Sequence, residues 1–396
     1  MEYIAKSKYR NLARKNSNPA RFIDKKRWLW LSGFSLSLIS LTTFWFYFAS
    51  GGNPVFMTIP LLYFFVAIPV LDEIVGRDTD NPPEDVAPEM SNDSFYANVV
   101  YSIIPAHFLL FFVGVWFIGT QSVPFWAAAV LAIGLGSVNA ILIIIGHELS
   151  HKTDPRNRLI SRIAFGLSGN GHFPIEHIRG HHVTASTPED CASSRLGESV
   201  YAFALRELPG TFTGGWRHEI DRLRRRGLPI FHWRNEILQV YSAAIMITIG
   251  LTFMFGWVVL PFILTHHFFS WYTLTQANYI AHYGLLRKKL ENGKYEPFQP
   301  RHSWNTNHRV SNLLLLHLQR HSDHHSNPTR PYQALRDDDD LPHLPFGYPG
   351  SLVLAAFPPL WFKVMDPRVL AWAGGDLSKV NICPRKKHRY AALRKQ

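Results

Sequence analysis

A chain of 396 residues with a formal net charge of +12 would ordinarily suggest two or three soluble domains and a nucleic-acid partner, and the placement of its residues excludes both. Long uncharged runs rich in Phe, Leu, Ile and Trp fill much of the first 150 residues and return after Ile237. Several reach the roughly 20 apolar residues that cross a bilayer core of about 30 Å. The basic residues gather at the N-terminus and in the connecting loops, the positive-inside pattern of a membrane protein facing the cytoplasm.

In chain order, residues 1–27 form a basic segment (Lys6, Lys8, Arg10, Arg14, Lys15, Arg21, Lys25, Lys26, Arg27) expected in the cytoplasm. It is too long to be the charged head of a cleaved signal peptide, so the first apolar run is read as a permanent anchor. Residues 28–151 are read as four spans: 28–48, 55–70, 96–118 and 123–147. Ser50-Gly51-Gly52-Asn53-Pro54 turns between the first two, and an acidic stretch carrying Asn81-Pro82-Pro83-Glu84 precedes the third. Residues 152–236 form a polar cytoplasmic segment. Spans five and six (237–259 and 262–281) lie within 237–283, and 284–396 is a cytoplasmic C-terminal segment. Its apolar piece 351–364, interrupted by Pro358-Pro359, is expected to lie on the membrane or pack on the catalytic lobe. The fold class is therefore an all-α integral membrane protein with about six transmembrane helices and a cytoplasmic His-rich lobe.

Three histidine clusters decide what that lobe does. His147-Glu148-Leu149-Ser150-His151 ends the fourth span; Glu176-His177-Ile178-Arg179-Gly180-His181-His182 follows; His321-Ser322-Asp323-His324-His325 lies far downstream. On a helix, His177 and His181 fall on one face with His182 beside them. With His282 at the end of span six, six spans place nine imidazoles on one side of the membrane. Nine exceed the needs of one ion, and two metals at four or five imidazoles each account for them. An all-nitrogen set suits iron or copper as well as zinc. Glu148, Glu176, Asp190 and Asp323 are candidates to orient ring N–H groups or bridge metals, and His172 and His317 are candidate neighbours of the ligands. His107, His266 and His267 are expected to pack within spans. His302 and His308 read as neighbours of the site or surface residues; His218, His232, His343 and His388 carry no spacing signal. Asp337-Asp338-Asp339-Asp340 reads as a solvated loop. Cys191 and Cys383 form no CxxC pair, so no thiolate zinc or iron–sulfur site can be built. His147-Glu148-x-x-His151 also matches the zinc-protease helix, which leaves the other clusters without a purpose. A metal transporter would place ligands near the bilayer midplane instead of at one rim.

These motifs, with Asn278-Tyr279-Ile280-Ala281-His282-Tyr283-Gly284, Leu318-Gln319-Arg320, Asn81-Pro82-Pro83-Glu84, Thr187-Pro188-Glu189-Asp190 and Ser194-Arg195-Leu196-Gly197-Glu198-Ser199, resemble the bacterial alkane 1-monooxygenases. Those are non-haem diiron membrane hydroxylases related to xylene monooxygenase and the fatty-acid desaturases. The resemblance implies two iron ions held by His147, His151, His177, His181, His182, His282, His321, His324 and His325, with O2 as co-substrate. It implies terminal hydroxylation of medium-chain n-alkanes in the bacterial inner membrane, catalytic side cytoplasmic. Oxidation of an aromatic methyl group, or desaturation or decarboxylation of a fatty acid, stay open within the superfamily. Electrons would come from rubredoxin, itself reduced by a NAD(P)H-dependent rubredoxin reductase, since the chain has no dinucleotide fingerprint. Arg222, Arg224, Arg225 and Arg226 are candidate docking residues, and Leu62, Tyr63, Phe64 and Phe65 are candidates to line the hydrocarbon channel. The sequence departs from the family at Ala281, where a Glu is usual; no carboxylate can assist His282 from there.

Overall fold

The computed structural model describes residues 22–393, so most of the expected N-terminal segment lies outside the described residues. Ten longer helices carry the fold: α1 (Arg27–Ala49), α2 (Pro54–Val75), α3 (Ser94–Thr120), α4 (Phe125–Ser150), α5 (Pro155–Gly166), α6 (Val200–Arg224), α7 (Glu236–Phe255), α8 (Val259–His282), α9 (Tyr348–Ala355) and α10 (Pro358–Trp372). Among the described residues β-pairing is confined to isolated bridges. Helix starts follow local chemistry. Asp93, Asp154, Ser199 and Asn235 each accept a hydrogen bond from a backbone N–H of the turn that follows, satisfying donors the helix leaves open.

Among the described residues five helices, α1, α2, α3, α4 and α7, are long and apolar enough to cross a membrane. The sixth expected span corresponds to α8, whose 24 residues suffice in length. Its composition is too polar to count on apolarity alone, because His266, His267, Thr273, Thr275, Gln276 and Asn278 lie along it. The bundle absorbs those groups. Asn139 of α4 lies between His107 of α3 (2.7 Å) and His266 of α8 (2.9 Å), so hydrogen bonds replace the water that lipid cannot offer. Glu207 of α6 accepts from Thr275 (2.8 Å) and Asn278 (3.2 Å). A Cβ at Gly136 would sit 2.5 Å from the His266 carbonyl oxygen, so only glycine lets α4 and α8 approach this closely.

α2 contains a π-turn at Tyr63–Ala67. Pro69 just beyond it has no N–H to return to Phe65, and the wider turn accommodates the loss. Pro358-Pro359 opens α10 instead of breaking a helix, and α9 and α10 pack on the bundle through buried Tyr348, Leu352, Trp361 and Met365.

The acidic stretch after α2 is structural. Asp78, fully buried, pairs with Lys26 (2.6 Å) and Arg320 (3.1 Å), and Glu84 pairs with Arg330 (3.0 Å) and Arg336 (3.1 Å). Lys26 and Arg27, from the end of the basic segment, are held in such pairs, the latter with Asp93. Arg320 also donates to the Leu335 carbonyl (2.6 Å) and Asn307 (3.0 Å), so the residue preceding His321 is fixed from several sides. Asp337 departs from its solvated-loop expectation: it is buried and meets His343 at 3.1 Å. Burial alone would raise the pKa of Asp78, but the His317 hydrogen bond and the charges of Lys26 and Arg320 hold it well below the usual carboxylate range. A depressed carboxylate stabilises the fold above its unfolded pKa of about 4 and loses that contribution as pH falls toward its folded value. Asp78→Asn is expected to cost about 3–5 kcal/mol at neutral pH by stranding two buried cations. Thermal unfolding in detergent checks this, with the gap to wild type narrowing below about pH 4.

Candidate metal centre

The C-terminal ends of α4 and α8 converge and deliver His147, His151 and His282 to one place. Two short segments complete it: the helical stretch 173–184 and the helix His321–Ser326. The stretch 173–184 is not a plain α-helix, because His177–His181 forms a π-turn. A π-turn closes i→i+5 bonds and so aligns His177 with His182, where an α-helix would align His177 with His181. The result is a division of the cluster. His147, His151, His177, His182 and His324 form one group and His181, His282, His321 and His325 another, with the ligand nitrogens of each within 4.8 Å of one another.

The rings point their Nε2 atoms inward. His177 Nε2 lies 2.8 Å from that of His147 and 2.9 Å from that of His182. In the second group His321 Nε2 lies 3.3 Å from that of His282 and 3.0 Å from that of His325. The groups adjoin, with His182 stacked on His325 at 4.3 Å. The buried Nε2 atoms of His181 and His324 have no hydrogen-bond partner, which is rare for buried polar atoms. Burial, then the neighbouring imidazoles, lowers the pKa of His182 to about 2, and burial, then Lys152, lowers that of His151 to about 4. Neutral rings with lone pairs converging on two points fit one metal ion per group.

The family model described as "Fatty acid desaturase" matches residues 124–349, which contain every ring of both groups. The chain is 43% identical to an alkane 1-monooxygenase of Ectopseudomonas oleovorans over 93% of this chain and 92% of the relative. It is 43% identical to one of Pseudomonas putida over 91% and 90%. It is 41% identical to alkane 1-monooxygenase 1 of Alcanivorax borkumensis over 95% and 93%. The chain belongs to the alkane 1-monooxygenase family. Within the desaturase-like class, this family member shows which expected residues support the rings and which do not.

Asp190 stands directly behind the second group, 2.9 Å from His181 Nδ1, and also accepts from Ser193 (2.6 Å) and the Ala192 N–H (3.0 Å). Burial would raise its pKa, but His181 and these hydrogen bonds hold it below the ordinary value, so a carboxylate orients the ring. Glu176 is buried against Cys191, and burial, then Asp190 and Glu207, pushes its pKa well up. Glu148 pairs with Lys152 (2.9 Å) and lies outside both groups of rings; it is thus tied up as a salt-bridge partner. Asp323 binds Arg330, Asn327 and the Arg336 N–H, bracing the third motif from outside. His172 lies 2.7 Å from the Tyr241 hydroxyl, and His317 meets the Tyr332 carbonyl at 2.8 Å and Lys26 at 3.3 Å. Neither joins a metal group: both bond to neighbours of their own. Ser186, missed in the sequence, stands 3.3 Å from His282 Nδ1; a lone serine outside every motif carried no signal.

Two apolar cavities adjoin beside the rings, and one of them reaches the rings. One is lined by Phe64, Ile141 and Leu352; the other reaches His147, His177 and His321; Ile144, Leu274, Ala277, Leu318 and Tyr348 line both. Of the four channel candidates only Phe64 takes part. Leu62 faces outward, Phe65 is half-buried beside the core, and Tyr63 is held by Ser35 (2.8 Å). Successive residues of a helix face different directions, so a run of four cannot line one channel.

His182→Ala and His325→Ala are each expected to lower the metal bound per chain by unseating one group, whereas His172→Ala leaves it at the wild-type value. Metal analysis of the purified protein checks all three. Asp190→Asn is expected to weaken metal affinity about 10–100-fold, measured by competition with a chelator.

Proposed function

We propose that this chain hydroxylates the terminal carbon of medium-chain n-alkanes, using O2 and two iron ions, in the bacterial inner membrane with the histidines on the cytoplasmic side. The observation that carries the reading is the pair of adjoining apolar cavities that lead from Phe64, within a membrane-length helix, to His147, His177 and His321. A hydrocarbon has no group to hydrogen-bond, so it can be held only by shape and by removal from water. Ile144, Leu274, Ala277 and Leu318 supply such walls. An extended chain entering between them end-on would present its terminal carbon at the rings, where placement to within an ångström decides rate and regiochemistry. When bound, the two irons would supply the activation of O2 that an unreactive C–H bond requires. Asp190 orients His181, and the buried rings exclude water from the place where the bond is broken.

The chain carries no motif for a dinucleotide or an iron–sulfur cluster, so the reading includes an external donor: rubredoxin, reduced by a NAD(P)H-dependent rubredoxin reductase. Of the four arginines expected to meet it, Arg222 is buried, pairs with Glu219 (2.6 Å) and donates to the Arg234 carbonyl (2.7 Å). It joins α6 to α7 and is not free to dock. Arg224, Arg225 and Arg226 are exposed and add to the positive field that draws in an acidic carrier.

Turnover in membranes with octane, rubredoxin, its reductase and NAD(P)H is expected to yield 1-octanol, with about two irons per chain in the same preparation. Two irons with nicotinamide oxidised and no octanol would move the reading to an aromatic methyl group or a fatty acid. One zinc and no oxygen uptake would sink it. Phe64→Ala is expected to shift the product distribution toward longer alkanols when mixed alkanes compete, with metal content unchanged.

A further inference from the structure

Beyond α8 the chain folds back in a short hairpin. Lys289 pairs with Tyr295, the Leu290 N–H donates to the Lys294 carbonyl (2.7 Å), and the Glu296 N–H donates to that of Lys288 (2.9 Å). Glu291-Asn292-Gly293 makes the turn, with Gly293 in the left-handed region at φ +77°. The hairpin is fastened to the second histidine motif by Arg287. This buried guanidinium donates to the Glu296 carbonyl (2.6 Å) and to the carbonyl of Val183 (2.8 Å), the residue after His182.

Two features of this hairpin stand out, although Lys289 Nζ also lies 5.7 Å from the Tyr295 ring. Lys288, Lys289 and Lys294 are exposed, and none forms an ion pair among the described residues. The strand that leaves the hairpin carries Phe298, which is half-buried and stacks on His325 at 4.8 Å with the rings 27° apart. His325 in turn stacks on His182 at 4.3 Å and 26°. Three near-parallel rings thus run from a half-exposed phenyl through one histidine group into the other.

We propose that the hairpin and Phe298 form the docking surface of a small acidic one-electron carrier protein, and that electrons enter along the stack Phe298–His325–His182. The proposal rests on the oxygenase reading above. Each docking event delivers one electron. Two reduced carriers, O2, two protons and the alkane give the alcohol, water and two oxidised carriers; the O–O and C–H bonds break, and the C–O and new O–H bonds form. The charge sets the partner: unpaired lysines around an aromatic surface attract a protein with carboxylates around its redox centre and repel a basic one. Arg224 ends α6 and Arg225 and Arg226 follow it toward α7, where they steer but make no contact with the bound carrier.

The test measures binding of oxidised rubredoxin to the detergent-solubilised full chain across a salt series, independent of turnover. Reversing all three hairpin charges (Lys288→Glu, Lys289→Glu, Lys294→Glu) is expected to raise Kd at low salt about tenfold or more and to flatten its salt dependence. The unfolding temperature should hold. Reversing Arg224, Arg225 and Arg226 to Glu should leave Kd within about threefold. Phe298→Leu, which keeps an apolar side chain, should leave Kd and metal content unchanged and slow single-turnover oxidation of pre-reduced carrier severalfold. Binding lost in the arginine variant but retained in the lysine variant would overturn this inference and leave the oxygenase reading intact, as would undiminished electron transfer in Phe298→Leu. Failure of the wild-type chain to bind the carrier at any salt, with octanol still formed from another reductant, would overturn the carrier itself.

Discussion

Nine imidazoles packed against one another, seven of them buried and His151 and His182 half-buried, form an arrangement that a protein cannot hold for nothing. Charged, they would repel at contact distance in a medium that screens poorly; neutral, they leave lone pairs facing lone pairs, and each buried orphan costs about 1–3 kcal/mol. The rest of the structure answers that constraint. Arg320, Arg287 and Asp190 each fix the backbone or ring of one motif from behind, so that convergence is imposed by the shell. A metal that satisfies the inward nitrogens then returns its binding energy to the fold. The buried ion network of Asp78 has the same logic: it joins the segment after α2 to the segment before His321, pieces far apart in sequence.

α4 and α8 do two jobs along one length. Their middles meet through Gly136 and Asn139, their inner faces wall an apolar cavity, and their last turns carry ligands. Position along the helix therefore sets polarity: an apolar cavity partway down, imidazoles at the end. In the proposed reading, a substrate soluble only in lipid would meet a reagent held at the polar rim without either leaving its own phase.

Much of this was legible in the sequence because apolar runs and histidine spacings are local signals. The spans, the polar segment between α4 and α7 and the nine rings needed only periodicity and length. What was hidden depends on geometry that spacing cannot encode. The pairing of His177 with His182 follows from a π-turn, and α-helical spacing predicts the opposite partner. Arg222 read as free charge although Glu219, three residues earlier on α6, was a partner that helical spacing offers; its second partner, the Arg234 carbonyl, is revealed only by the packing of α6 on the start of α7. His172 and His317 looked like neighbours of the site by proximity in sequence, and each found its bond elsewhere. Phe64 could not be told from Leu62, Tyr63 and Phe65 until the bulge around Pro69 showed which way each one faced.

The polar character of α8 has a consequence for biogenesis. A helix carrying His266, Gln276 and Asn278 is a poor candidate to partition into lipid unaided. Only Gly256, Trp257 and Val258 separate it from the strongly apolar α7. The two would enter the bilayer as one helical hairpin, the first carrying the second, and α8 would find its resting place only where Asn139 already waits. The end of α8 that carries His282 would then settle after the scaffold that makes its polarity tolerable.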